Sequence, residues 1–451
     1  MLPIEAAAIW SLLGGLLLLP SEFHVNVPGF PPLDKDSIPA LATLVLCWMK
    51  GAPTKAPHQS IFVYLLALAY LVSPLPTSFT NSYELQVGKA SIPGFYPLDG
   101  LKYIYRNLIT LAPFYVGSRI LYTPQGRMLL LRTMPAAMLV YSLPMLYELR
   151  MSPQLHTLVY GYFPSMFSQQ MRSGGFRPVV FFNHGLALAF FTALALIAAL
   201  ILVRTKTRVL AVLAGAAAGY LGVLLVFCKS LGPLIYAVLL APVILLTRPR
   251  FWVAICVPLT LMVCAYPVLR GNHLIPTEII AKNAGRVESD RFFSYQTRVI
   301  NEEMLLAKAN EKPIFGWGTW GRNRIYDAET GKDISVTDGG WVIIYGVWGW
   351  FGYLALFTLF AAVTLQAFRA VDSKLTPENV SLAGLTLLLT VYVVDQIPNA
   401  YPLSLTFLIA GAVGTAARDR LRQRGRQKIG PKAKSPTAAN HAGPTSAELT
   451  T

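Results

Sequence analysis

The sequence predicts an all-α polytopic membrane protein, with about 12 transmembrane helices and one large periplasmic loop that itself contains helices. Three observations carry that expectation. The 451 residues are 54% hydrophobic and only 13% charged, against roughly 25% charged in soluble proteins. The mean hydropathy is +0.50. Apolar runs of about 20 residues, the length that crosses a bilayer, recur along the chain, and basic residues gather in alternate connections between them.

Taken in order, the candidate spans are 2–20, 37–49, 59–76, 99–121, 127–149, 179–203, 209–228, 231–247, 251–269, 341–367, 379–397 and 401–417. The first lacks a basic start and contains Glu5, so it reads as a retained span and not a cleaved signal. The second is short enough to be re-entrant instead of spanning. The sixth follows "RSGGFRPVV", and the seventh and eighth are joined by the short turn "CKSLGPL". The last two meet at "QIPNAYP", a tight turn.

Charge sets the orientation. Lys50 and Lys55 fall in one connection, Arg204, Lys206 and Arg208 in a second, Arg248 and Arg250 in a third, and Arg369 and Lys374 in a fourth. With twelve spans these lie on one side, together with both termini, and that side is expected to be cytoplasmic. The alternate connections, 21–36, 77–98, 151–178 and 270–340, have no comparable excess of positive charge. The last, about 70 residues, balances ten Lys/Arg against ten Asp/Glu. It carries an amphipathic helical pattern and a Gly/Trp turn.

The net charge of +16 does not point to nucleic acid, because much of it sits in one place. Eight Lys/Arg and one acid between Arg418 and Lys434 give +7, the pattern of a cytoplasmic anchor on anionic lipid. The expected organisation is a transmembrane domain over 1–417, with the 270–340 loop inserted, and a basic, disordered cytoplasmic tail over 418–451. From Gly430 onward the tail is small, polar and Pro-containing, and cannot bury a core. Cys47, Cys228, Cys256 and Cys264 all lie in apolar runs without metal-ligand spacing, which indicates neither a disulfide framework nor a metal site. There is no P-loop and no internal repeat, and no cofactor is expected.

Three clusters on the outer side carry chemistry. Arg172 and Arg177 precede the sixth span, with His184 about two turns into it. Lys229 sits in the turn between the seventh and eighth spans. The large loop supplies Arg270, Arg286, Arg291 and Arg298, then "KPIFGWGTWGR", then Asp338. Singly, each has a plain explanation. Arg172, Arg177 and Lys229 read as interfacial anchors, His184 as an interhelical hydrogen-bond partner, and Glu302, Glu303 and Glu311 with Lys308 and Lys312 as a solvated helix face. Together, cations at a membrane surface suit a lipid diphosphate, whose oxygens accept bidentate bonds from Arg. The same cations stabilise the charge that builds on a diphosphate leaving group, and a nearby carboxylate can take the proton of an attacking sugar hydroxyl. Asp338 has three readings: N-cap of the span that follows, general base, or partner of a cation.

At these residues the sequence resembles the O-antigen ligase/O-antigen polymerase family of bacterial membrane glycosyltransferases. "YQTRVINEEMLLAKANEKPIFGWGTWG" is similar to the family's Arg, amphipathic helix and Pro-x-x-Gly-x-Gly, with Arg298 and Pro313 in place. "TDGGWVIIYGVWGWFGY" is similar to the motif that follows, with Asp338, Gly349 and Gly352 at its spacing. "GFRPVVFFNHGLALAFF" resembles the earlier Arg-containing approach to a span. About 60 residues carry the likeness directly.

The resemblance implies transfer of a glycan from undecaprenyl diphosphate to an acceptor, with inversion suspected and no metal needed. The acceptor is lipid A-core in a ligase and another lipid-linked glycan in a polymerase. It implies residence in the bacterial inner membrane and polysaccharide-assembly proteins as partners. It assigns Asp338 and Arg298 to catalysis and Arg177, Lys229, Arg291 and Arg270 to the diphosphate, with His184 as a further candidate. Where the ligase motif has His and then a polar residue, this chain has Asp338 and Gly339, which leans toward a polymerase or exopolysaccharide-type member. The competing expectations are a transporter or flippase of a lipid-linked or anionic substrate, and a non-catalytic assembly subunit. A transporter is expected to show repeated halves and midplane charges, which this sequence does not.

Overall fold

A computed structural model describes residues 2–26, 32–51, 56–172, 174–276, 289–401 and 404–429, with the backbone alone for 289–295 and 428–429. The protein is an all-helical membrane protein. In chain order the helices are α1 (Ile4–Leu18), α2 (Ser37–Met49), α3 (Ile61–Val72), α4 (Pro74–Thr80), α5 (Pro97–Ile120), α6 (Pro124–Met151), α7 (Leu155–Tyr160), α8 (Gly185–Val203), α9 (Ala214–Phe227) and α10 (Leu231–Leu246). Then come α11 (Pro249–Gly271), α12 (Ser289–Asn310), α13 (Gly340–Ala370), α14 (Pro377–Asp395) and α15 (Ser404–Ile429). Antiparallel hairpins β1–β2 (Leu85–Val87, Ala90–Ile92), β3–β4 (Met171–Arg172, Gly175–Phe176) and β5–β6 (Arg208–Val209, Val212–Leu213) lie in the connections.

Among the described residues, six helical stretches are long and apolar enough to cross a membrane: α3–α4 together, α6, α8, α11, α13 and α14. Helices α1, α2, α9 and α10 are apolar but shorter. Each of the twelve segments picked out by hydropathy holds a helix. The core centres on α8, where every residue from Ala187 to Leu202 is buried, and on α14. A helix apolar all round belongs in such an interior. The peripheral helices turn large apolar side chains outward, among them Trp48, Leu65, Val223, Leu239 and Leu246. A water-facing surface does not tolerate that much contiguous apolar area. Helices α5 and α15 touch backbone to backbone. A Cβ on Gly117 would lie 2.1 Å from the Leu408 carbonyl oxygen, and one on Gly411 2.0 Å from that of Phe114. Small residues at a helix contact of this kind are a common way of packing spans closely.

The basic connections gather at one end of the bundle. Arg119 donates to the Ala56 carbonyl (3.4 Å), Arg204 to that of Thr247 (3.2 Å) and Arg250 to that of Val371 (3.1 Å). Arg420 and Arg424 both pair with Asp372. These bonds correct one expectation: residues 418–429 are not a loose tail but the last turns of α15, tied down by those two arginines. Residues 430–451, expected to be disordered, lie outside the described residues.

At the opposite end the apolar stretch 179–184 is not helical, although hydropathy assigns it to the sixth span. The Glu148 carboxylate at the end of α6 takes the backbone N–H groups of Val179 (2.7 Å) and Val180 (2.8 Å), and Val180 has φ +50°. Those N–H groups are therefore bonded sideways, and α8 starts only at Gly185. The same end carries the break in α13. Gly349 has φ +61°, so the helix interrupts itself, and its freed groups are taken by the segment after α12. Trp350 N–H donates to Pro313 O (2.7 Å) and Phe351 N–H to Ile314 O (3.0 Å). In return, Trp317 N–H reaches Gly346 O (2.9 Å) and Gly318 N–H reaches Val347 O (3.0 Å). The two glycine motifs read separately in the sequence are thus the halves of one interlocked joint. Arg322, fully buried, secures the joint by donating to the carbonyls of Trp317, Tyr83 and Pro93.

Candidate active site

The joint fixes α12 against the start of α13, and this brings Arg298 and Asp338 together. Asn301 Oδ1 accepts the Val336 N–H (2.7 Å), which lays the segment before α13 along α12. Arg298 Nε then lies 3.2 Å from Asp338 Oδ2, and both side chains are a little over one third exposed (37% and 38%). The two residues are forty apart in sequence, and both remain open to solvent.

Asp338 is not the helix cap. The N-cap position of α13 is Gly339, without a side-chain cap bond. The first helical N–H groups are taken by the α14–α15 turn instead: Gly340 N–H by Asn399 O (2.9 Å) and Trp341 N–H by Gln396 O (3.1 Å). With those donors satisfied by backbone, the carboxylate is left for Arg298.

Arg177 leaves the β3–β4 hairpin with its N–H on Gln170 O (2.8 Å) and is 2% exposed. Nη2 donates to Ser230 Oγ (2.6 Å), while Nε has no partner among the described residues. Burial pushes this guanidinium down to about 10, and the positive charges of Arg172 and Arg298 act in the same direction. It remains charged at neutral pH, and it feels Arg298 directly. A buried guanidinium next to two other cations is costly unless an anion joins them.

His184 is the N-cap of α8, not a residue two turns inside the span. Its Nδ1 accepts the Leu186 N–H (3.0 Å). Burial first, then Arg177, Arg172 and Arg298, push the imidazole down to about 4. At neutral pH the ring is therefore uncharged, and with Nδ1 accepting, the proton sits on Nε2 as a donor.

The remaining cations named from sequence are placed differently. Lys229 Nζ donates to Arg172 O (2.9 Å) and so braces the β3–β4 hairpin. Arg270, 3% exposed, meets Glu302 (3.1 Å), Glu303 (3.6 Å) and Val299 O (3.3 Å). Glu302 also accepts from Trp341 Nε1 (2.8 Å), so one carboxylate joins α11, α12 and α13. It is not on the solvated face expected for it. The side chain of Arg291, and Arg286 entirely, lie outside the described residues.

Two residues escaped the sequence reading. Tyr401, in the α14–α15 turn, lies within electrostatic reach of both Arg177 and Arg298, and its buried hydroxyl has no partner among the described residues. Asp395, at the end of α14, is buried, accepts from Asn399 Nδ2 (3.1 Å) and also senses Arg298. Its signal was present as a lone carboxylate at the edge of an apolar run. The arrangement is a group of cations from two separate parts of the chain, the β3–β4 hairpin and α12, with a carboxylate at its exposed rim and a neutral histidine beside it. No family model and no curated protein matches this sequence.

Proposed function

We propose that the chain is a membrane glycosyltransferase that moves a glycan from undecaprenyl diphosphate to an acceptor hydroxyl at the periplasmic face of the bacterial inner membrane. The observation that carries this reading is the Arg298–Asp338 pair, partly open to solvent and within electrostatic reach of buried Arg177. The helices of all twelve hydropathy segments span the membrane in this reading. The end rich in Lys/Arg connections faces the cytoplasm with both termini, and α12 and its joint lie on the periplasmic side.

In the reaction, the acceptor oxygen attacks the anomeric carbon from the side opposite the diphosphate, which inverts that centre. The bond between that carbon and the phosphate oxygen breaks, and its electron pair leaves with the diphosphate. Arg177 and Arg298 receive the growing negative charge, and the His184 Nε2–H donates to a phosphate oxygen. Asp338, held by Arg298 at the rim, takes the hydroxyl proton. Lys229 and Arg270 serve by fixing the β3–β4 hairpin and α12. The acceptor is another lipid-linked glycan or lipid A-core. Asp338-Gly339, where ligases of the resembled family carry His and a polar residue, favours polymerisation.

The test is gel analysis of surface glycans from cells carrying Arg298→Ala or Asp338→Ala in place of the natural gene. Both variants should insert normally yet leave no extended glycan. Single repeats on lipid A-core then indicate a polymerase, and accumulated lipid-linked polymer a ligase. Normal product from both variants overturns the assignment.

A further inference from the structure

A cavity of about 180 Å³ opens where the α1–α2 connection meets the start of α8 and the α14–α15 turn. One wall is aromatic. Phe190 stacks on Tyr401 (4.9 Å, 14° between planes) and meets Tyr392 edge-on (5.1 Å). The lining also includes the polar side chains of Asp36 and Asn183. Most polar groups around it are already engaged. Asp34 takes the N–H groups of Asp36 (3.1 Å) and Ser37 (2.9 Å), and Lys35 donates to Phe181 O (2.6 Å). Among the described residues, the side chains of Asp36 and Asn183 form no hydrogen bond or ion pair, and the Tyr401 hydroxyl likewise has no partner.

Three unpaired polar groups around an aromatic surface define the ligand's chemistry. Glu22, Asp34 and Asp36 outnumber Lys35 in the lining, which disfavours an anion. An acyl chain would leave the Asp36 carboxyl and the buried Tyr401 hydroxyl without partners, at a cost that rises with burial. A sugar ring meets both kinds of group, its C–H face on the aromatic rings and its hydroxyls on the carboxyl, amide and phenol. The volume, below the roughly 300–1,000 Å³ of sites for drug-sized ligands, suits one ring. The cavity also adjoins the cation cluster. Asn183 directly precedes His184, and Tyr401 lies within reach of Arg177 and Arg298. Burial, with Asp34 adding, pushes the Asp36 carboxyl up to about 7, so near neutrality it both donates to and accepts from hydroxyls.

We infer that this cavity is a carbohydrate-binding subsite that seats one ring of the acceptor glycan, with Asp36, Asn183 and Tyr401 bonding its hydroxyls. Calling the ring the acceptor rests on the transfer reading; that a sugar binds here does not. The test is saturation-transfer NMR on the purified full-length protein in detergent, with a panel of free glucose, galactose, mannose, rhamnose and N-acetylglucosamine. At least one sugar should receive saturation from the wild-type protein. Asp36→Ala should weaken that binding about ten-fold, the loss of one well-formed hydrogen bond, and Asn183→Ala, at the exposed mouth, by a smaller but measurable factor. Arg324→Ala, at an exposed loop ion pair, should leave it unchanged. No saturation of any sugar by the wild-type protein overturns the proposal, as does equal saturation in both cavity variants. Sugar binding that persists while Arg298→Ala still yields normal glycan would remove the acceptor role and keep the subsite.

Discussion

Replacing Arg298 separates a structural role from a catalytic one, because the two have different sizes. Its pair with Asp338 is more than one third exposed on both sides. Such a pair contributes only ~0.2–1 kcal/mol to folding. Arg298→Ala should therefore shift Tm by no more than about 2–4 °C. If the guanidinium meets charge on the departing diphosphate, its loss costs ~2.7–4 kcal/mol of barrier, a ~10²–10³-fold fall in rate. The assay is glycan transfer by purified protein in lipid nanodiscs, with an undecaprenyl-diphosphate-linked glycan as donor, beside a thermal melt of each variant. Arg298→Lys keeps a point charge but loses the two-pronged donor, and should fall between wild type and Ala. The decisive variant is the swap Arg298→Asp with Asp338→Arg. A purely structural ion pair is restored by the swap, whereas a cation aimed at the diphosphate is not. Recovery of transfer by the swapped protein refutes the reasoning.

Gly349→Ala places a Cβ 2.4 Å from the Ile314 carbonyl oxygen at φ +61°, and should cost at least about 2 kcal/mol by thermal melting. Gly14→Ala, with open space around its Cβ, is the control and should melt no lower than wild type. Asp36→Asn should raise Tm, and more at pH 8 than at pH 5. The folded protein holds the Asp36 carboxyl at about 7, above its ordinary 3.8, so the stability it contributes is full below 3.8 and is lost as pH rises through 7. At pH 8 the ionised side chain costs at most about 4 kcal/mol, and at pH 5 less than half of that. The groups facing it are Asp34 and Lys35 in its own turn, Arg106 from α5 and Tyr392 from α14. A stabilisation that is larger at pH 5 contradicts the buried placement of this carboxyl.

The helical body was legible because a bilayer span announces itself locally. Hydropathy located α2 and α10 to within a residue and most of the others to within a few. In two of the places where it erred, a distant side chain was responsible. Residues 179–184 are as apolar as a span should be, but Glu148, some thirty residues earlier, bonds their N–H groups. The end of α15 looked like a solvated tail because Asp372, nearly fifty residues away, is what neutralises Arg420 and Arg424. The site divides in the same way. Arg298 and Asp338 were each picked out by their motifs, but their contact was not. The burial of Arg270 against Glu302, the Arg322 clasp and the cavity around Asp36 depend on pairings between remote segments, which no local pattern records. Asp338 had three readings open, and the cap was eliminated only by the Asn399 and Gln396 carbonyls that occupy the helix start.

The central claim is that Arg177 and Arg298 jointly hold a lipid diphosphate. Titration of the purified protein with undecaprenyl diphosphate tests it most directly, without any need for an acceptor. Arg177 is buried with Nε unpartnered, and Arg298 stands at the rim, so each should contribute a charge-assisted bond worth ~1.5–3 kcal/mol. Saturable binding by wild type, weakened about 10- to 100-fold in Arg177→Ala and again in Arg298→Ala, is the expected result. Equal affinity in all three proteins, with undecaprenyl monophosphate binding as tightly as the diphosphate, would contradict the account.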